Sequence, residues 1–152
     1  TLVASTPRLA QMGEGIDAGA WRRILETEGT RAWLLSNAQA RFGPQTDPGV
    51  AEWYADEGAK TAPEMVLGLQ GCLLAEDLTP LLPDIRCPTL LLAARRDNIT
   101  PLEVQQVMVG RIPNATLQTF DEVGHNMKVE IPDLLAQRTR EFIRQVESTP
   151  LT

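Results

Sequence analysis

The sequence predicts an α/β fold: an open, mostly parallel sheet interrupted by a helical insertion. Three observations carry that expectation. Thr89–Ala94 is a continuous apolar run behind Cys87-Pro88, which suits a strand buried on both faces. Strand and helix patterns alternate from there to the C-terminus, as in parallel crossover units. Between an opening apolar run and that alternation, residues 8–78 carry helix signals and no strand pattern.

The elements follow in chain order. Thr1-Leu2-Val3-Ala4 is strand-like and ends in the turn Ser5-Thr6-Pro7. It opens the chain as if leaving a sheet whose earlier strands lie elsewhere. Trp21, Ile24 and Leu25 fall at helical spacing, and Gly29 ends that segment. Ala32 to Ala40 suits a second helix, stopped by Gly43-Pro44. Asp47-Pro48 reads as an N-cap carboxylate followed by a first-turn proline, with Val50, Trp53 and Tyr54 on the apolar face. Thr61-Ala62-Pro63-Glu64 reads as a capping box, with Met65, Val66, Leu69, Leu73 and Leu74 forming the face behind it. Thr100-Pro101-Leu102-Glu103 reads as a second capping box, with Val104, Val107 and Met108 inward. Thr116 to Phe120 alternates as a strand after the break Ile112-Pro113-Asn114. Pro132 opens the last helix, with Leu134, Leu135, Phe142, Ile143 and Val146 on its core side. Two helices are expected to be too few to cover both faces of such a sheet.

Composition removes several function classes. Fourteen Lys and Arg against 20 Asp and Glu give a net charge of −6. That balance argues against nucleic-acid binding, which needs a basic face, and offers no polybasic patch to a membrane. The longest apolar run is far too short to span a bilayer. Cys72 and Cys87 fit neither a zinc site nor a disulfide framework and are expected to be buried thiols in a reducing, cytoplasmic setting.

Open parallel sheets place their chemistry in loops at the carboxyl ends of the strands. Two such loops hold titratable residues here: Arg95-Arg96-Asp97-Asn98 and Asp121-Glu122-Val123-Gly124-His125. His125 is the only histidine. On adjacent strands an acid and an imidazole can meet, the carboxylate fixing the ring so that its other nitrogen deprotonates a nucleophile. Arg95 and Arg96 read as solvated loop charges. Ser5 reads as the start of a turn rather than a nucleophile, since no strained elbow surrounds it.

Several short motifs arrive together in these residues: Ile85-Arg86-Cys87-Pro88-Thr89-Leu90-Leu91-Leu92, then Asp97-Asn98-Ile99-Thr100-Pro101, Ile112-Pro113-Asn114-Ala115, Gly124-His125 and Ile131-Pro132. In this order they resemble the C-terminal half of the α/β-hydrolase superfamily, from its sixth strand on. Ala94-Arg95 departs mildly from that pattern, where glycine is frequent. The resemblance implies one partial α/β-hydrolase domain over residues 1–152, with a helical cap at 8–78 and the acid and base loops within 79–148. It implies that Asp97 is the catalytic acid and His125 the catalytic base. No Gly-x-Ser-x-Gly occurs in the sequence, so the nucleophile is expected from a missing N-terminal half, in the same gene product or a second chain.

The reaction so implied is cleavage of a small-molecule ester or lactone, with no metal and no cofactor. The insert looks most like that of 3-oxoadipate enol-lactonases and small esterases. The same triad serves other members for acyl transfer, C–C hydrolysis or cofactor-free haloperoxidation, and a non-catalytic receptor on this fold is a further alternative. The insert holds Trp33, Trp53 and Tyr54, expected with Met127 to furnish the substrate pocket.

Overall fold

The structure, a computed structural model, describes residues 1–9 and 17–148. Residues 10–16 of the expected 8–78 insertion, and residues 149–152, lie outside the described residues. The sheet has three strands in the order β1 (Leu2–Val3), β2 (Thr89–Ala94) and β3 (Ala115–Phe120), all parallel. β2 therefore lies in the middle, and the two strands that precede the titratable loops, β2 and β3, are neighbours.

β2 is buried along its whole length. Its side chains alternate between two faces, so one apolar run serves two cores. Leu90, Leu92 and Ala94 pack with Met127 and Leu135, while Leu91 packs with Leu82, Met108 and Ile112. The first core is closed by α6 (Met127–Glu130) and α7 (Pro132–Ser148), the second by α5 (Leu102–Arg111) and the 3-10 turn Thr79–Asp84. The two helices thus do cover β2 on both faces, because they lie on opposite sides and the short elements fill in. β1 and β3 are different: each pairs with β2 alone, and their outer edges are unpaired among the described residues.

Between β1 and β2 the chain runs through α1 (Ala18–Ser36), α2 (Ala38–Arg41), α3 (Pro48–Gly58) and α4 (Pro63–Ala75). Asp17 caps α1 by accepting from the Gly19 and Ala20 amides. Gly29 interrupts α1 at φ 85°, ψ 179°, a left-handed backbone that glycine adopts without a Cβ penalty. Asp47 caps α3 through the Gly49 amide, ahead of Pro48, as the sequence predicts. Leu25, Trp33, Leu34 and Ala55 form the insert's own core, and Arg31 bridges α1 to Glu52 and Asp56 of α3.

Five expectations are corrected. Neither capping box forms. Pro63 takes the first helical position, which makes Ala62 the N-cap and leaves Thr61 outside, its carbonyl bound by the Thr30 hydroxyl. Pro101 is likewise the N-cap of α5, and Thr100 turns to Asp97 instead. The apolar face of α4 is not covered: Met65 is 69 % exposed and Leu69 61 %, and no residue of α4 is buried. Val107 and Ile143 are exposed because a three-stranded sheet is too narrow to reach the flanks of α5 and α7. Cys72 and Cys87 are exposed free thiols, the first on uncovered α4, the second at the entry to β2.

Candidate active site

The register of β2 and β3 pairs Ala94 with Phe120, so their following loops leave the sheet side by side. The Arg95 amide donates to the Phe120 carbonyl at 2.9 Å and the Arg96 amide to the Val123 carbonyl at 3.1 Å. The two loops are thereby zipped together before either reaches its functional residue. Arg95 and Arg96 also pair with Asp121 and Glu122, and all four side chains are solvent-exposed, so these pairs add little to stability.

At the end of the zipper, His125 Nδ1 lies 3.0 Å from Asp97 Oδ2. A carboxylate only accepts, so Nδ1 carries the proton and the lone pair of Nε2 is free to take another. The Asp97 side chain is almost wholly buried, whereas that of His125 keeps 21 % of its surface open. The carboxylate is shielded and the imidazole can be reached. Asp97 is held from three further sides. Oδ1 accepts from the Ile99 and Thr100 amides, both at 2.8 Å, and Oδ2 accepts from the Thr100 hydroxyl at 2.6 Å. Thr100 Oγ1 stands 3.4 Å from His125 Nδ1, so acid, base and hydroxyl form one cluster. A buried carboxylate met by four donors is held in one orientation.

The insert meets this cluster from above. Gly124 and Gly43 approach backbone to backbone: a Cβ on Gly124 would stand 2.5 Å from the Phe42 carbonyl carbon. The Asn126 amide donates to the Arg41 carbonyl at 2.9 Å. Arg41 is buried, stacked 4.9 Å above the Trp33 ring and bound through Nε to Asn37. Burial lowers its guanidinium from the ordinary value, against the opposing pull of Tyr54 and Asp97.

The expected pocket residues divide. Trp33, Trp53 and Tyr54 line one cleft of about 400 Å³, which also reaches Lys128 and Val129 just after the base. Met127 is fully buried in the core with Leu90 and Leu92, so it backs the base loop and lines no wall. A larger cleft of about 770 Å³ runs between the insert and the acid loop, past Phe42, Pro44 and Asn98. Ser5 Oγ donates to the Val3 carbonyl at 3.1 Å, turned back on its own strand. Thr100, Arg41 and Glu130 are site neighbours that the sequence reading missed. Thr100 was the most accessible of them, since a hydroxyl three residues after an aspartate can close back on it.

The family described as TAP-like protein, one of the Abhydrolase families, matches residues 77–147, which include both loops. A 2-hydroxymuconate semialdehyde hydrolase of Pseudomonas putida is 28 % identical over 146 residues, 94 % of this chain. These matches support an α/β-hydrolase superfamily assignment for this chain. Its fold agrees: the enol-lactonase of Burkholderia xenovorans LB400 superposes with a TM-score of 0.81 at 19 % identity over 93 % of this chain. A thermophilic esterase from Thermogutta terrifontis does so with a TM-score of 0.75 at 24 % identity over 95 %. The chain spans 46 % of the Pseudomonas relative and 54 % and 55 % of those two structures. Among its described residues no helix is long and apolar enough to cross a membrane.

Proposed function

We propose that this chain supplies the acid and base of a serine-type hydrolase that cleaves a small ester or lactone. The observation that carries the reading is the 3.0 Å contact between His125 Nδ1 and the buried Asp97 carboxylate, with the other ring nitrogen unencumbered. In the proposed reaction a serine from residues outside this sequence attacks the carbonyl carbon. His125 Nε2 takes the serine proton and returns it to the leaving oxygen, giving an acyl-enzyme. Water then attacks the acyl carbon with His125 again as base, releasing the acid and regenerating the serine. Asp97 orients the ring and stabilises the imidazolium. Residues 8–78 serve as a cap, and the cleft at Trp33, Trp53 and Tyr54 is its substrate-facing wall. A cytoplasmic setting belongs to the same proposal, supported by two exposed thiols in no disulfide.

A second reading uses the same pair on the substrate named by the Pseudomonas relative, 2-hydroxymuconate semialdehyde. That relative's match extends over the insert as well as the two loops, which favours it. Activity on p-nitrophenyl acetate, an enol-lactone and the semialdehyde, measured on the protein that unites this chain with its nucleophile, separates the two. The first reading expects the esters or the lactone to be turned over and His125→Ala to abolish it. Turnover of the semialdehyde alone would replace the first reading with the second.

A further inference from the structure

Glu130 touches neither Asp97 nor His125, yet its carboxylate joins the base loop to the helical insert. Oε1 accepts from the Gly124 amide at 3.0 Å. Oε2 accepts from the Gly43 amide and the Thr46 hydroxyl, both at 2.8 Å. The surfaces it joins are already in backbone contact. A Cβ on Gly43 would stand 2.2 Å from the Glu122 carbonyl oxygen, and one on Gly124 would stand 2.7 Å from the Gly43 nitrogen. Gly124 immediately precedes the base, and the Asn126 amide immediately after it is fixed to the Arg41 carbonyl. Both flanks of His125 are thus anchored to the insert, one of them through Glu130.

We propose that Glu130 is a positioning residue for the base: by bridging Gly124 to Gly43 and Thr46 it registers the insert on the His125 loop and sets the reach of Nδ1 to Asp97. The proposal rests on the reading of Asp97 and His125 as an acid–base pair. The margin is small. A hydrogen bond of 3.0 Å is lost by about 3.6 Å, so roughly half an ångström of freedom in the loop breaks the pair. The carboxylate suits the task because it only accepts and can meet three donors at once. Glutamine has the same shape but must turn an NH₂ toward either the Gly124 amide or the Gly43 amide, so one side of the bridge is lost in each orientation.

His125 is the only histidine, so every imidazole signal of the chain belongs to it. The test compares Glu130→Ala, Glu130→Gln and Asp97→Asn with the unaltered chain by two NMR readouts: the imidazole ¹⁵N shifts, which report the tautomer, and the exchange rates of the Gly43 and Gly124 amides. The unaltered chain is expected to hold the proton on Nδ1 and to protect both glycine amides. Asp97→Asn should abolish the tautomer preference and leave the glycine amides protected. Glu130→Ala should weaken the preference and speed exchange at both glycines at least ~10-fold, the loss of a charge-assisted bond. Glu130→Gln should do the same more weakly, and it carries the test if the alanine variant does not fold. A folded Glu130 variant with faster glycine exchange but an unaltered tautomer would make the bridge structural only and overturn the proposal. If the unaltered chain shows no Nδ1 preference and Asp97→Asn changes nothing, the acid–base pair itself fails first.

Discussion

At Asp97 one carboxylate oxygen receives two donors, the Thr100 hydroxyl at 2.6 Å and His125 Nδ1 at 3.0 Å. The other oxygen receives two backbone amides of the same loop. The acid is therefore oriented by its own loop before the histidine arrives, and Thr100 contributes the one side-chain bond. Thr100→Val keeps the volume and removes that bond. It is expected to lower kcat about tenfold with little change in KM, since a hydrogen bond to a charged group is worth roughly 1.5–3 kcal/mol, and Thr100→Ser should restore most of it. Steady-state kinetics of the protein carrying its nucleophile check this; equal losses in Val and Ser variants would place the effect in packing. That the Asp97 carboxylate and the His125 imidazole could meet was legible in the sequence, because each stands in a loop after a strand, in a motif of fixed order. Thr100 was misread because the pattern Thr-Pro-Leu-Glu satisfies a capping box equally well. Only the three-dimensional loop decides between a helix amide and a buried carboxylate, and the charged acceptor wins.

Among the elements, the contact between the insert and the base loop is set by backbone and not by side chains. Gly124→Ala places a Cβ 2.7 Å from both the Arg41 oxygen and the Gly43 nitrogen, neither of which can swing aside. A destabilisation of about 1–3 kcal/mol is expected, the usual cost of overpacking, visible as a lower midpoint in denaturant. An unchanged midpoint would mean that the insert does not press on the loop. At Gly29 the strain is conformational: Gly29→Ala has open space around its Cβ but an unsuitable φ of 85°. It too should destabilise, by about 1–2 kcal/mol, unless α1 straightens, which a rise in helical circular dichroism would reveal. The sequence announced the helix break at Gly29 and the start at Asp47-Pro48, because both rest on local chemistry. It could not announce that Gly43 meets Gly124, since close approach of distant backbones leaves no periodicity.

For the molecule as a whole, two surfaces stand out. The outer edge of β1 is unpaired among the described residues, and Met65, Leu69, Leu73 and Leu74 of α4 are exposed on one helix. Unpaired strand edges and apolar faces of this kind drive association. The 152-residue chain by itself is expected to run heavier than one copy in sedimentation at micromolar concentration, and a monomer with a single cooperative thermal transition would refute that. Sequence patterning identified α4 as amphipathic but had no means of saying whether its apolar face is covered. The same chain is expected to show no turnover of p-nitrophenyl esters above buffer, because no Gly-x-Ser-x-Gly elbow is present. Turnover that disappears in Ser5→Ala would instead promote Ser5, against its bond to the Val3 carbonyl.

The central claim is that Asp97 and His125 act as one catalytic unit, and a double-mutant cycle on kcat/KM tests it most directly. The four proteins are the unaltered enzyme that unites this chain with its nucleophile, His125→Ala, Asp97→Asn and the double variant, all assayed on the same ester or lactone. His125→Ala should cost at least ~10²-fold, because the proton acceptor itself is gone. Asp97→Asn should cost less, because orientation is weakened while the imidazole remains. The double variant should be no slower than His125→Ala alone, since the acid has nothing left to orient. A double variant that lost the product of the two single effects would contradict the coupling, and near-full activity in His125→Ala would remove the site.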